Sequence, residues 1–218
     1  MNNNKWSSKR KRGISIPVGK NILFVYCGKC TKPNYFSAVF NDISNNFFIK
    51  SHGQTRIVYN ELIDAVDPLN MAKDLKRIIS EAHFDEVFVV FDKDDFLKDN
   101  FDNAIESINK LNKKTNTTFI PLWSNQCVEL WFILHFEFCQ QACHRDDYYP
   151  KLTSYLKKKY KKNNPKILED IYSNKGSLKN AIKNAKKLLE IHKDASYSNK
   201  WPATNVVAFF ENYKDFIN

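Results

Sequence analysis

The sequence predicts an α/β fold: a mainly parallel sheet flanked by helices, followed by a helical C-terminal region. Three observations lead there. Apolar runs of strand length recur at 22–27, 86–91 and 117–122, of the kind buried on both faces of a parallel sheet. Helical periodicity falls between them, and strand–helix alternation favours a parallel sheet with right-handed crossovers. After Trp123 the texture changes to Lys-rich helical stretches without good strands. The expected division is a flexible basic arm at 1–20, an α/β domain at 21–125 and a helical domain at 126–218.

The first strand is Ile22–Cys27, ended by a turn at Gly28. A helical stretch follows near Tyr35–Phe40. Asn46–Lys50 and Arg56–Tyr59 read as short strands around a turn at Ser51-His52-Gly53. Residues 68–83 carry Leu69, Ala72, Leu75, Ile78, Ile79 and Ala82 at helical spacing, and Pro68 suits a helix start. Glu86–Phe91 is the second buried strand. Residues 99–113 place Phe101, Ala104, Ile105, Ile108 and Leu111 on one helix face. Thr117–Leu122 is the third strand. Beyond it, Val128–Phe138 reads as an apolar helix, and further helices are expected at 150–161, 165–173, 177–193 and 203–216.

Composition narrows the class. The 218 residues are 43% hydrophobic and 27% charged, which is enough apolar material for a core. No run approaches the ~18 apolar residues of a membrane helix. The first 20 residues show no apolar signal core, and the odd count of 5 cysteines fits a reducing cytoplasm. A G-x-x-x-x-G-K-[ST] phosphate loop and a G-x-S-x-G elbow are both missing, so ATP use would belong to a partner. The net charge is +10, and its distribution matters more than its size. The arm (Lys5, Lys9, Arg10, Lys11, Arg12) and residues 151–200 are strongly basic, whereas 85–106 is acidic. Basic regions attract nucleic acid by counterion release. AT-rich coding bias and solvated helix faces are the competing account of the lysines.

The most pointed segment is Phe91-Asp92-Lys93-Asp94-Asp95, three carboxylates where a buried strand stops. In parallel sheets, ligands bind outside the carboxyl ends of strands. Asp92 and Asp94 are two apart and share a side while the chain is extended. Such hard oxygens suit Mg²⁺ or Mn²⁺, with Asp95 as a further ligand. A solvated loop leading into the next helix is the alternative, and Asp99 and Asp102 fit that role.

Longer segments carry a resemblance. Ile22–Phe36 (ILFVYCGKCTKPNYF), Val87–Phe96 (VFVVFDKDDF), Ser124–Phe136 (SNQCVELWFILHF) and Trp201–Val206 (WPATNV) resemble, in order and spacing, the RloB-like family of phage-defence proteins. The resemblance implies a Toprim-type fold, abortive infection, nuclease chemistry and, often, a neighbouring SMC-like or ABC-type ATPase. Three departures stand out. Toprim proteins usually place a Glu-Gly pair after the first strand, where this chain has Cys27-Gly28. The family's Thr-Glu-Pro reads Thr31-Lys32-Pro33. The terminal segment also has Trp201 where the family has Asn. Either Glu129, within the Glu-Leu-Trp match, supplies the missing carboxylate, or the site is weakened and the protein binds without cutting.

The resulting expectation is a Mg²⁺-dependent nuclease acting on DNA or RNA, with Glu129, Asp92 and Asp94 catalytic. The alternative is a nucleic-acid-binding or protein-interaction subunit of an ATPase-containing defence complex. Lys32 is expected to contact phosphate. Lys157, Lys158, Lys159, Tyr160, Lys161 and Lys162 interleave lysines with a ring able to stack on a base. Lys179, Lys183, Lys186 and Lys187 form a helical stripe. Oligomeric state is left open. Cys27-x-x-Cys30 and the cluster Cys139, Cys143, His144 have zinc-ligand chemistry, but the C-x₃-C-H spacing of the second does not suit a closed tetrahedral site, and buried inert thiols are expected. His135, with Trp131, Phe132, Phe136 and Phe138, reads as core.

Overall fold

The computed structural model describes residues 20–51, 56–60, 74, 75 and 83–214, with side chains at 42–51 and 56–60 left aside. The arm at 1–20, apart from Lys20, lies outside the described residues. So does the helix expected at 68–83, apart from Asp74 and Leu75, which are helical; Leu75 is fully buried. No helix among the described residues is long and apolar enough to cross a membrane.

Strands β1 (Asn21–Tyr26), β2 (Arg56–Asn60), β3 (Glu86–Asp92) and β4 (Thr118–Asn125) pair in parallel in the order β2-β1-β3-β4. A two-residue strand β5 (Ala203–Thr204) adds an antiparallel edge on β4. The central strands are apolar throughout because both faces are covered. Alternate residues face opposite layers. Leu23, Val25, Val87, Val89, Phe91 and Phe119 meet helix α2 (Lys98–Leu111) through Phe101, Ala104, Ile105, Ile108 and Leu111. Ile22, Phe24, Phe88, Val90 and Leu122 meet the other layer. That layer includes α1 (Thr31–Ser51), α3 (Glu129–Leu134) and α7 (Val207–Asn212). Phe24 stacks on Phe88 with ring centres 5.0 Å apart, and Phe209 closes on both edge-to-face at 5.6 and 5.2 Å. These offset and edge-on geometries add to the apolar burial.

Helices α4 (Arg145–Leu156), α5 (Ile167–Ser173) and α6 (Leu178–Ile191) lie between α3 and β5 in the chain. Their apolar residues join the cluster that covers β1 and β3.

Several boundaries differ from those expected. Asn46–Lys50 is the last part of α1, not a strand. A short apolar run fits either state, and extending a formed helix adds one hydrogen bond per residue fixed. The Val128–Phe138 helix shrinks to Glu129–Leu134, where the His135 carbonyl instead accepts from Ser177 N at 2.9 Å. Helix α4 starts at Arg145 rather than 150, because His144 and Asp147 cap it: His144 N donates to Asp147 Oδ2 at 3.1 Å. The 203–216 stretch spends its first residues on β5.

Gly176 marks a close crossing before α6. Its N–H donates to the Ile171 carbonyl at 2.8 Å, and an added Cβ would lie 2.8 Å from that same oxygen and clash with Ile171 Cγ2. Gly176→Ala is therefore expected to lower unfolding stability by about 1–3 kcal/mol, the usual range for overpacking, as a reduced urea midpoint at unchanged slope.

Candidate functional site at the carboxyl edge of the sheet

Three strands end side by side, and their loops build one pocket. Cys27 N donates to Val90 O at 2.9 Å, which keeps the β1 end against β3. Lys93 N donates to Ser124 O and Asp94 N to Gln126 O, both at 2.9 Å, which ties the β3 loop to the end of β4. Asp94 adopts φ 41 in that loop, a left-handed turn that Asp tolerates better than most residues. Gly28 turns the chain out of β1 at φ 104, a conformation that favours glycine. The pocket, about 460 Å³, is lined by Cys27, Lys32, Asp92, Asp94, Glu129 and Lys162 among others.

Within it, Lys32 is the partner of Asp92. Its ammonium lies 2.7 Å from Asp92 Oδ2 and donates to the Cys27 carbonyl at 2.8 Å. Both side chains are buried, with relative exposures of 10% and 8%. Burial alone would lower the Lys32 pKa, but the charge and hydrogen bond of Asp92 outweigh it, so the ammonium is held charged. Burial raises Asp92 to about 7. Lys32 opposes that rise, while Asp94 and Glu129 add to it as like charges. Asp92 Oδ1 is buried without a hydrogen-bond partner.

The other acids are also engaged. Arg145, at the start of α4, forks onto Asp94 Oδ1 at 3.0 Å and Asp95 Oδ2 at 2.6 Å. Glu129 is buried at the start of α3 and accepts from the Tyr160 hydroxyl at 2.8 Å. Among the described residues, no three His, Cys, Asp or Glu side chains converge as a metal-holding group. In this arrangement the carboxylates of Asp92, Asp94, Asp95 and Glu129 face protein groups: Lys32 for Asp92, Arg145 for Asp94 and Asp95, and the Tyr160 hydroxyl for Glu129.

Asp92, Asp94, Glu129 and Lys32 thus meet in one pocket, and Asp95 sits on its outer side with Arg145. The lysine segment divides. Lys162 reaches the pocket, and its carbonyl accepts from Thr31 Oγ1 at 2.9 Å, pinning the 157–162 loop beside α1. Lys157, Lys159 and Lys161 are exposed, and Lys158 pairs with Asp170 at 2.5 Å. Tyr160 is not an exposed stacking platform. It is buried, stacks on Tyr149 at 5.7 Å and uses its hydroxyl on Glu129. A buried phenol needs a partner, and the carboxylate supplies one. The stripe Lys179, Lys183, Lys186 and Lys187 is exposed on α6, away from the residues lining the pocket. Within it Lys186 pairs with Glu211 at 2.7 Å and Lys187 lies 4.1 Å from the Phe138 ring centre.

Arg145, which pairs with Asp94 and Asp95 beside the pocket, is the residue the sequence did not single out. Its only local signal is the cap His144-x-x-Asp147, which marks a helix start but not its neighbours. The Cys139, Cys143, His144 group is no ligand set: both cysteines are buried in the core and His144 caps α4. All five cysteines are thiols rather than disulfides. His135 is fully buried away from the pocket, in a chain where Trp131 Nε1 donates to Tyr35 Oη at 2.8 Å. The Tyr35 hydroxyl proton is then free to point at His135 Nε2, 3.0 Å away.

Two segments distant in sequence lock this edge. Ser124 Oγ and Thr204 Oγ1 share a hydrogen bond of 2.8 Å, Asn205 N donates to Trp123 O at 2.8 Å, and Asn205 Nδ2 donates to Pro121 O at 2.9 Å. The model of the family described as RloB-like protein matches residues 22–212, from β1 to the end of α7. The chain belongs to the RloB-like family. Neither curated proteins nor solved structures give a match. The family match spans every pocket residue named above, so the Lys32–Asp92 pair lies inside the matched region, not in an appended segment.

Proposed function

We propose that this RloB-like protein is a cytoplasmic, defence-associated protein that engages nucleic acid at the carboxyl edge of its sheet, as a binding component of a defence assembly. Family membership supports the defence role. The observation that carries the nucleic-acid reading is the placement of the 157–162 lysine loop, which Thr31 pins to the rim of the acid-lined pocket. Exposed lysines beside a pocket can track a phosphate backbone without reading its sequence. An SMC-like or ABC-type ATPase is the proposed partner, since the chain has no phosphate loop of its own.

A second reading, a Mg²⁺- or Mn²⁺-dependent Toprim-type nuclease, is favoured by one feature: Asp92, Asp94 and Glu129 share the pocket, and Asp92 Oδ1 has no partner. A panel of DNA, tRNA and total RNA, with Mg²⁺ or Mn²⁺ and with or without the partner ATPase, separates the two. Salt-sensitive binding without strand scission supports the first reading. Scission that disappears in Asp92→Ala and Asp94→Ala establishes the second and overturns the first.

A further inference from the structure

The pocket holds an acid cluster of the kind that ordinarily calls for a divalent ion, yet its positive charge comes from the chain itself. We infer that the Lys32 ammonium takes the place of that ion against Asp92, and that the pocket works without metal. This deepens the binding reading of the same site and rests on it.

Three observations carry the inference. The Lys32 ammonium is fixed by two acceptors, Asp92 Oδ2 at 2.7 Å and the Cys27 carbonyl at 2.8 Å. It is therefore seated at the strand ends rather than swinging from the surface. A Mg²⁺ ion binds carboxylate oxygen at about 2.0–2.1 Å, so one placed on that oxygen would face the ammonium at very short range. Second, Asp94 and Asp95 are held by the Arg145 fork, so recruiting them as ligands would break a paired guanidinium contact. Third, the pocket lining is already balanced, with Lys29, Lys32 and Lys162 against Asp92, Asp94 and Glu129. The formal charge of the lining is thereby zero without an ion.

The test is titration of the full chain with MnCl₂ and MgCl₂, followed by calorimetry and by Mn²⁺ broadening of amide resonances. In the wild type, no heat of binding and no selective broadening at Asp92 or Glu129 are expected at millimolar metal. Lys32→Glu replaces the ammonium with a carboxylate and is expected to bind Mn²⁺. Lys32→Met, which keeps the length of the side chain, is expected to bind it at least about tenfold more tightly than the wild type, a difference of about 1.4 kcal/mol. Selective broadening at Asp92 in the wild type, abolished by Asp92→Asn, overturns the inference. So does a folded Lys32→Met or Lys32→Glu chain with no gain in Mn²⁺ affinity. If neither variant folds, the wild-type broadening alone decides. Loss of nucleic-acid binding in the wild type would instead sink the functional reading and leave the metal result standing.

Discussion

Lys32→Met is expected to lower unfolding stability by about 3 kcal/mol at pH 8, within the range for removing one partner of a buried ion pair. The substitution keeps the aliphatic stem and removes the ammonium. Asp92, with a side-chain exposure of 8%, then faces Asp94 and Glu129 without compensation. The carboxyl group can limit the loss only by holding a proton. Its folded-state pKa, already raised to about 7 by burial, moves higher still in the variant. The defect therefore shrinks as pH falls toward 5 and grows as pH rises. Urea denaturation at both pH values measures this. Asp92→Asn in the Lys32→Met background is expected to restore most of the loss, since it removes the stranded charge. A double-mutant cycle gives the coupling energy directly. A loss below about 0.5 kcal/mol, typical of surface positions, would mean that Lys32 is not the counter-ion of Asp92.

The second large effect is acid sensitivity centred on His135. Burial lowers its pKa from 6.5 to about 3. Between those values the unfolded chain binds a proton that the native chain does not, so stability falls as pH drops through this window. At pH 4 the accumulated loss is about 3 kcal/mol, and it levels off below pH 3. Asp92 acts in the opposite sense. Its folded pKa lies above its unfolded 3.8, so it holds a native proton between about 4 and 7 and loses stability as pH rises through that range. The two slopes oppose each other, and a single wild-type profile would hide both. The difference between the wild type and His135→Gln isolates the first. Gln offers an acceptor toward the Tyr35 hydroxyl but does not titrate. The wild type is expected to lose about 3 kcal/mol more than the variant between pH 7 and pH 4. Parallel profiles would show that His135 is not held neutral.

The legible parts of the fold were those where one local pattern admits one answer. Ile22–Cys27 and Glu86–Phe91 are apolar without alternation, which only a strand covered on both sides accommodates at that length. Phe101, Ala104, Ile105, Ile108 and Leu111 repeat at helical spacing and are the buried face of α2. Asn46–Lys50 fits a strand as well as the helix it belongs to, because five residues carry too few periods to separate a strand from the end of a helix.

In the pocket, the strand-end rule pointed to Asp92 and Asp94 and the family resemblance to Glu129, and all three line it. What stands against each acid was not legible, because those contacts are tertiary. Arg145 lies fifty or more residues from Asp94 and Asp95, and Tyr160 lies 31 residues from Glu129. Lys32 is 60 residues from Asp92. Its charge reversal against the family pattern was visible, but the direct ion pair was not. Tyr160 shows the same limit. A tyrosine among lysines reads as a base-stacking patch until its hydroxyl is found serving a buried carboxylate.

Nucleic acid meeting the lysine rim of the pocket is detected by fluorescence anisotropy of labelled single-stranded DNA and RNA across a salt series. Each phosphate contact contributes about 0.7 to the slope of log affinity against log salt for single strands. The wild type is expected to bind with a steep salt dependence, and Lys161→Glu with Lys162→Glu to weaken binding and flatten the slope by at least about 1.4, the share of two contacts. Affinity and slope unchanged in that double variant, or no binding by the wild type at low salt, would show that the lysine rim is not a nucleic-acid surface.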